Sequence, residues 1–203
     1  RVTTPEIVDL LSVPEVSAAL GLDVGDMEGV TAWLQASHVA WGLDARHKEA
    51  FAVPPCAEHT MAWGVDRMMA SYVMSDVSSA TAERAFDLPD GAKLLPIPGI
   101  HGPSAAALGA LDRLFCELQQ WRDLAQASYP ASQWSELLER QLGALLKIDA
   151  ADADARAARS AIGRLVARIS LEPQVAGKDP TLHFAAVQEL LLEGLGGVPE
   201  NQK

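Results

Sequence analysis

Cysteine is nearly absent from this sequence: Cys56 and Cys116 are the only two, and they form neither a CxxC pair nor a dense framework. A disulfide-stapled scaffold and a cysteine-based structural zinc are thereby excluded, and a reducing, cytoplasmic setting is the expectation. Positive charge is also scarce. Sixteen Lys and Arg stand against 27 Asp and Glu, for a net charge of -11. Such a surface does not wrap nucleic acid broadly, so any DNA contact is local or made through a partner. No apolar run approaches the roughly 20 residues of a membrane span. Arg1-Val2-Thr3-Thr4-Pro5 lacks the apolar stretch of a signal peptide. The start without Met fits a fragment of a longer polypeptide. There is no phosphate loop ending in Gly-Lys-Ser/Thr and no Gly-x-Gly-x-x-Gly after a strand. ATP hydrolysis and nucleotide-cofactor binding are therefore not expected.

What is present is enough apolar material for a core. The chain has 203 residues, 49% of them hydrophobic and 21% charged. A globular domain of that size buries about 70% of the surface of its unfolded chain. The expectation is one helical domain, 1–203, with an irregular loop at 75–103 separating two helical halves.

The periodicity reads as about eight helices, an all-α fold. Thr4-Pro5 starts the first, with Ile7, Val8, Leu10 and Leu11. Pro14 starts the second, and Gly21 stops it. Asp26 is expected to cap a segment carrying Met27, Val30, Trp33 and Leu34 on one face, and Asp44 to cap a short helix ending near Phe51. Thr60 opens a helix from Met61 to Met74, with Met61, Val65, Met68, Met69 and Tyr72 on one stripe and Asp66 and Arg67 beside it. After the loop, Ser104 opens a helix to about Ala127, Pro130 the next, Asp149 a third and Pro180-Thr181 the last. No segment alternates convincingly enough to be a strand.

Catalytic constellations are missing. His38, His47, His59, His101 and His183 are scattered, and no two of them are three or four residues apart. Glu58 and Asp66, the carboxylates nearest His59, make no recognisable magnesium set. No catalytic, metal-binding or cofactor-binding residue is expected. One basic cluster stands out: Arg156, Arg159, Arg164 and Arg168 lie along a broad face of the helix after Asp149. They are the candidate DNA-binding residues, able to track a phosphate backbone. A solvated face in favourable dipole order with Asp149, Asp152 and Asp154 is the bland alternative. Trp41-Gly42-Leu43-Asp44 and Trp63-Gly64-Val65-Asp66 repeat a tetrapeptide in which a large anchor precedes a glycine.

The run Trp33-Leu34-Gln35-Ala36-Ser37-His38-Val39-Ala40-Trp41-Gly42-Leu43-Asp44, then His59-Thr60, Gly64-Val65-Asp66-Arg67-Met68-Met69 and Tyr72-Val73-Met74, resembles the middle of the RecC family. These are gamma subunits of exodeoxyribonuclease V, the bacterial RecBCD complex. Ile7-Val8-Asp9-Leu10-Leu11-Ser12-Val13-Pro14, Trp121-Arg122 and Pro130 to Trp134 extend the likeness, which is strongest from Val30 to Met74 and thin beyond Leu146. Where the family usually shows Trp-Arg-Phe-Gly, this chain has Met61-Ala62-Trp63-Gly64.

The resemblance implies a superfamily 1 helicase-like architecture without a working ATP site, this segment corresponding to the helical insertion called 2B. It implies a non-catalytic structural role in ATP-dependent DNA unwinding and degradation during double-strand break repair by homologous recombination. RecB-like and RecD-like subunits are the implied partners. DNA is a partner in the full complex, its binding by the fragment weak or absent, and no membrane is involved. The rival from another class is a stand-alone helical binding protein that takes a peptide or apolar ligand on the Met-rich helix 61–74.

Overall fold

The structure, a computed structural model, describes residues 2–73, 86–87, 93–97, 100, 105–175 and 177–196, with backbone alone at 86–87, 93 and 174. The chain divides into two compact units, Arg1–Leu118 and Gln119–Lys203. Among the described residues there are nine helices, so the all-α expectation holds.

The first unit is built from short helices: α1 (Thr4–Leu11), α2 (Pro14–Leu20), α3 (Val24–Ala36), α4 (Ala45–Glu49) and α5 (Met61–Val73), followed by the first two-thirds of α6 (Ala105–Ala125). Their ends are set by local chemistry. At α1 the cap is Thr3, not Thr4: its hydroxyl and the Glu6 carboxylate close a capping box, which leaves Pro5 in the first turn. At α3 the cap is Asp23, and the expected cap Asp26 is instead the third helical residue, returning its carboxylate to the Asp23 N–H at 3.1 Å. Either aspartate satisfies a free N–H, and spacing alone does not say which one comes first. Gly21 ends α2 at φ 74°, a left-handed conformation that glycine adopts without steric cost.

Helix α1 packs on α2 and α3. Ile7, Leu11, Val16, Leu20, Val30, Leu34, Met61, Val65, Met68, Leu108, Leu111 and Leu114 are all buried. Met61 and Met68 are 0% exposed, so the methionine stripe is core packing rather than an open groove. Met74 lies outside the described residues, as does most of the irregular stretch at 75–103. Within it, β1 (Phe86–Asp87) and β2 (Lys93–Leu94) pair antiparallel.

The second unit uses longer elements. These are the end of α6, β3 (Ser128–Pro130), α7 (Ala131–Leu145), α8 (Ala153–Val175), β4 (Thr181–His183) and α9 (Phe184–Gly196). Leu124, Trp134, Leu138, Val166, Ile169 and Val187 form its core, with Trp121, Tyr129, Leu182 and Phe184 packed around them. The Trp134 indole N–H donates to the Tyr129 and Leu182 carbonyls, both at 3.2 Å, and those two residues are paired across β3 and β4.

Contrary to the expectation from the sequence, strands exist, and Thr181–His183 is β4 rather than the start of the last helix. Pieces of two or three residues are too short to alternate visibly, and tertiary pairing decides them. Helix α8 begins at Ala153, four residues after the expected Asp149. Asp152 accepts from Ala155 N–H at 2.8 Å at that end, while Asp149 turns the preceding loop by accepting from Ala151 N–H.

Candidate functional site

The family-like motif folds into a knot of backbone and side-chain bonds in the first unit. The Gly42 N–H donates to Val2 O at 2.7 Å, and Thr3 bridges Trp41. His59 O accepts from the Ala40 and Trp41 N–H groups, while Met61 and Ala62 donate to Gly42 O and Leu43 O, both at 2.9 Å. The Asp44 carboxylate caps α4 by accepting from His47 N–H at 2.7 Å, as expected. The buried His47 ring in turn accepts from Leu43 N–H at Nδ1, 3.0 Å, which places its neutral-state proton on Nε2. Lys48 is buried too, and its ammonium donates to Glu58 O at 2.6 Å while lying 5.6 Å from the Trp41 ring centre.

The two repeated tetrapeptides serve different needs. Gly42 sits at φ 86°, where a Cβ is strained. Gly64, inside α5, makes room: a Cβ there would lie 2.2 Å from Val39 Cγ2. Asp44 is a cap, whereas Asp66 is a mid-helix carboxyl raised above its ordinary pKa first by partial desolvation and then by Asp112.

Arg67 was expected beside the apolar stripe of α5; it is buried instead. Its guanidinium donates to Ser37 O at 2.7 Å and Leu95 O at 2.6 Å and lies 4.6 Å from the Trp63 ring centre. Burial pushes it below its ordinary pKa. One turn on, the Ser71 hydroxyl accepts from Ile97 N–H. Together they fasten the 94–97 segment to α5. The sequence signal for this clamp is weak, an arginine four residues after a tryptophan within an apolar helix. Lys48 gives no signal at all.

The candidate DNA-binding arginines all lie on α8 but do not converge. Arg159 is ion-paired with Glu139 of α7. Arg168 Nε is 2.9 Å from Glu172 on its own helix, with both groups exposed. Arg156 is exposed and donates to Asp152 O at 3.3 Å. Arg164 is exposed and has no ion pair among the described residues. Two of the four charges are thus already matched by carboxylates, although an exposed i,i+4 pair such as Arg168–Glu172 is worth only about 0.3–0.5 kcal/mol and yields readily to a phosphate. Among the described residues no group of three His, Cys, Asp or Glu could hold a metal ion. No described helix is long and apolar enough to cross a membrane.

Comparison with known proteins gives one consistent result. Residues 1–199 match the family described as the RecBCD enzyme subunit RecC fourth domain. The RecBCD enzyme subunit RecC of Mycolicibacterium smegmatis is 28% identical over 200 residues, 98% of this chain and 17% of that protein. The protein of the same name from Escherichia coli is 24% identical over 150 residues, 74% of this chain and 12% of that protein. The Mycobacterium tuberculosis H37Rv protein is 28% identical over 90 residues, 44% of this chain and 8% of its own length. The chain therefore spans less than a fifth of the length of these relatives.

Proposed function

The chain belongs to the RecC fourth-domain family, and from that premise we propose that it is a non-catalytic structural segment of the gamma subunit of exodeoxyribonuclease V. In this reading it supports ATP-dependent unwinding and degradation of DNA during recombinational repair of double-strand breaks. Its place is that of the 2B-like helical insertion of a helicase-type fold, in the cytoplasm, beside RecB-like and RecD-like subunits. The observation that carries the reading is where the motif's polar groups are spent. His47, Lys48, Asp44 and Arg67 bond to backbone within the fold, at Leu43, Glu58, His47, and Ser37 with Leu95. Chemistry-bearing side chains committed to internal carbonyls and amides hold a shape; they are not left to transfer protons or bind metal. The rival, a ligand groove on the Met-rich helix, finds no support in side chains as buried as Met61 and Met68.

DNA contact by this segment is part of the proposal and runs through α8. Arg156 and Arg164 carry it together with Arg168, whose exposed pair with Glu172 yields to a phosphate, while Arg159 is held by Glu139 of α7. A net charge of -11 opposes a phosphate backbone at long range, while the arginine row attracts it only within a Debye length of about 8 Å. Purified alone, the 203-residue chain should neither hydrolyse ATP nor cut DNA, and should bind labelled duplex or single strand weakly and salt-sensitively in fluorescence anisotropy. Replacing Arg156 and Arg164 with Ala should lower that binding for every sequence alike. Submicromolar binding at physiological salt that ignores both substitutions overturns the α8 surface. ATPase or nuclease activity that disappears when one residue of the chain is changed overturns the non-catalytic reading.

A further inference from the structure

Helix α9 carries more apolar surface than its own unit covers. At 100° per residue, Leu190, Gly194, Val187, Leu191, Phe184, Leu195 and Leu192 fall in an arc of about 200°, twice the stripe a one-sided surface helix needs. Only Val187 is fully buried, while Leu190, Leu192 and Leu195 are 48%, 60% and 46% exposed. The helix packs on α8 closely enough that a Cβ on Gly194 would lie 2.7 Å from Leu165 Cδ2.

Beside that contact lies a cavity of about 220 Å³, lined on one side by Trp121, Leu138 and Leu142 and on the other by Phe184, Leu191 and Leu195. The Trp121 indole N–H is buried with no hydrogen-bond partner among the described residues. A second hollow of about 520 Å³ runs along the other flank, where Leu190 and Ile169 meet Arg168, Glu172 and Glu193. Of its carboxylates, Glu172 is matched by Arg168, whereas Glu193 is exposed; neither it nor Glu189, exposed on the outer side of α9, has an ion pair among the described residues.

We propose that this open flank of α9 is the docking face for a helix of the same subunit polypeptide lying outside these 203 residues, one that presents leucine-type side chains beside lysine or arginine. The inference rests on the reading that the chain is a segment of RecC. Three observations select this occupant. The chain spans 17% of the length of the Mycolicibacterium smegmatis relative, so most of such a subunit remains to cover it. Apolar exposure at three leucines of one helix, Leu190, Leu192 and Leu195, beside an apolar cavity, is the mark of permanent interfaces, which resemble a domain core cut in half, rather than of transient ones. Unmatched Glu189 and Glu193 call for cations on the occupant. Tethering in one chain also supplies an effective concentration that a separate partner lacks.

The test uses the full-length subunit with the photo-crosslinker benzoylphenylalanine in place of Leu192, with and without the other subunits of the complex, the attachment site being read by mass spectrometry. The expected product joins position 192 to a helix of the same polypeptide outside residues 1–203, with Lys or Arg flanking the attachment site. In the L190Q/L195Q background its yield should fall about tenfold, the loss that 1.4 kcal/mol of contact produces, while the circular dichroism of the subunit is unchanged because both positions are already half exposed. Attachment to another subunit, to a second copy, to DNA, to residues within 1–203, or to nothing overturns the proposal. Assembly separates the two claims. A subunit that cross-links as expected but never joins the complex defeats the functional reading alone. One that assembles but cross-links elsewhere defeats the docking face alone.

Discussion

The two units reach order by different means. In Arg1–Leu118, short helices are joined by turns whose polar side chains bond to distant backbone, as Lys48 does to Glu58 O and Arg67 to Ser37 O and Leu95 O. In Gln119–Lys203, the helices α7 and α8 are long, and the aromatic group of Trp121, Tyr129, Trp134 and Phe184 fills the space among them. Polar bonds to backbone fix geometry at named atoms, so they tie a fold to particular residues at particular positions. Apolar packing tolerates exchange of one aliphatic side chain for another so long as volume is kept.

The largest expected effect lies in the second unit. Trp134 is fully buried, packs edge-on against Tyr129 at 5.5 Å between ring centres, and donates to both short strands. Trp134→Ala should cost about 3–5 kcal/mol in denaturant titration. Hydrogen exchange should then rise first at amides of α7, α8, β3 and β4.

In the first unit, Gly64→Ala should cost about 1–3 kcal/mol through overpacking against Val39. If the account is right, Val39→Ala combined with Gly64→Ala restores most of that loss. Failure of the rescue shows that glycine is needed there for another reason. Arg67→Lys should cost about 1.5 kcal/mol, because an ammonium cannot keep two carbonyls and a ring face in the geometry of a guanidinium. Exchange should increase at Ile97, whose N–H is held one turn further along α5.

The smallest effects are a mirror pair in pH. Asp66 has its carboxyl raised by burial and by Asp112. Its contribution to stability is therefore complete below the ordinary carboxylate value of about 3.9 and is lost as pH rises through the folded value. Asp66→Asn should raise the melting temperature slightly at pH 7 and leave it unchanged below about pH 4. Asp179 runs the other way. The Ser132 N–H at 2.9 Å and hydroxyl at 2.7 Å hold its carboxyl below the ordinary value, so its contribution is present above about pH 4 and fades as pH falls. Asp179→Asn should lower the melting temperature at pH 7, with the difference closing under acid. Thermal melts from pH 3 to 7 read both, and two curves of the same sign would contradict the assignment.

Much of the fold was legible because helices advertise themselves. The stripe through Met61, Val65 and Met68 and the punctuation at Pro14, Gly21 and Asp44 are periodic or positional signals, and the structure honours them. What stayed hidden has a common cause. Strand pieces of two or three residues, the burial of Lys48 and the clamp at Arg67 all depend on which backbone a distant segment presents, and no local pattern encodes that. The α8 arginines were visible as a row, but Glu139, which binds Arg159 from 20 positions away, was not visible as their partner.

The central expectation is that this segment acts by holding shape. The direct measurement is ATP-dependent nuclease activity per mole of assembled complex, reconstituted from full-length subunits carrying Trp134→Ala, Gly64→Ala, Arg67→Lys or Arg156→Ala with Arg164→Ala. Assembled yield should fall in the order of the stability losses, with activity per assembled complex constant within about twofold across the buried variants. A buried variant that assembles at the wild-type level yet loses ATP hydrolysis or strand cleavage would place the segment in the chemistry and contradict the account.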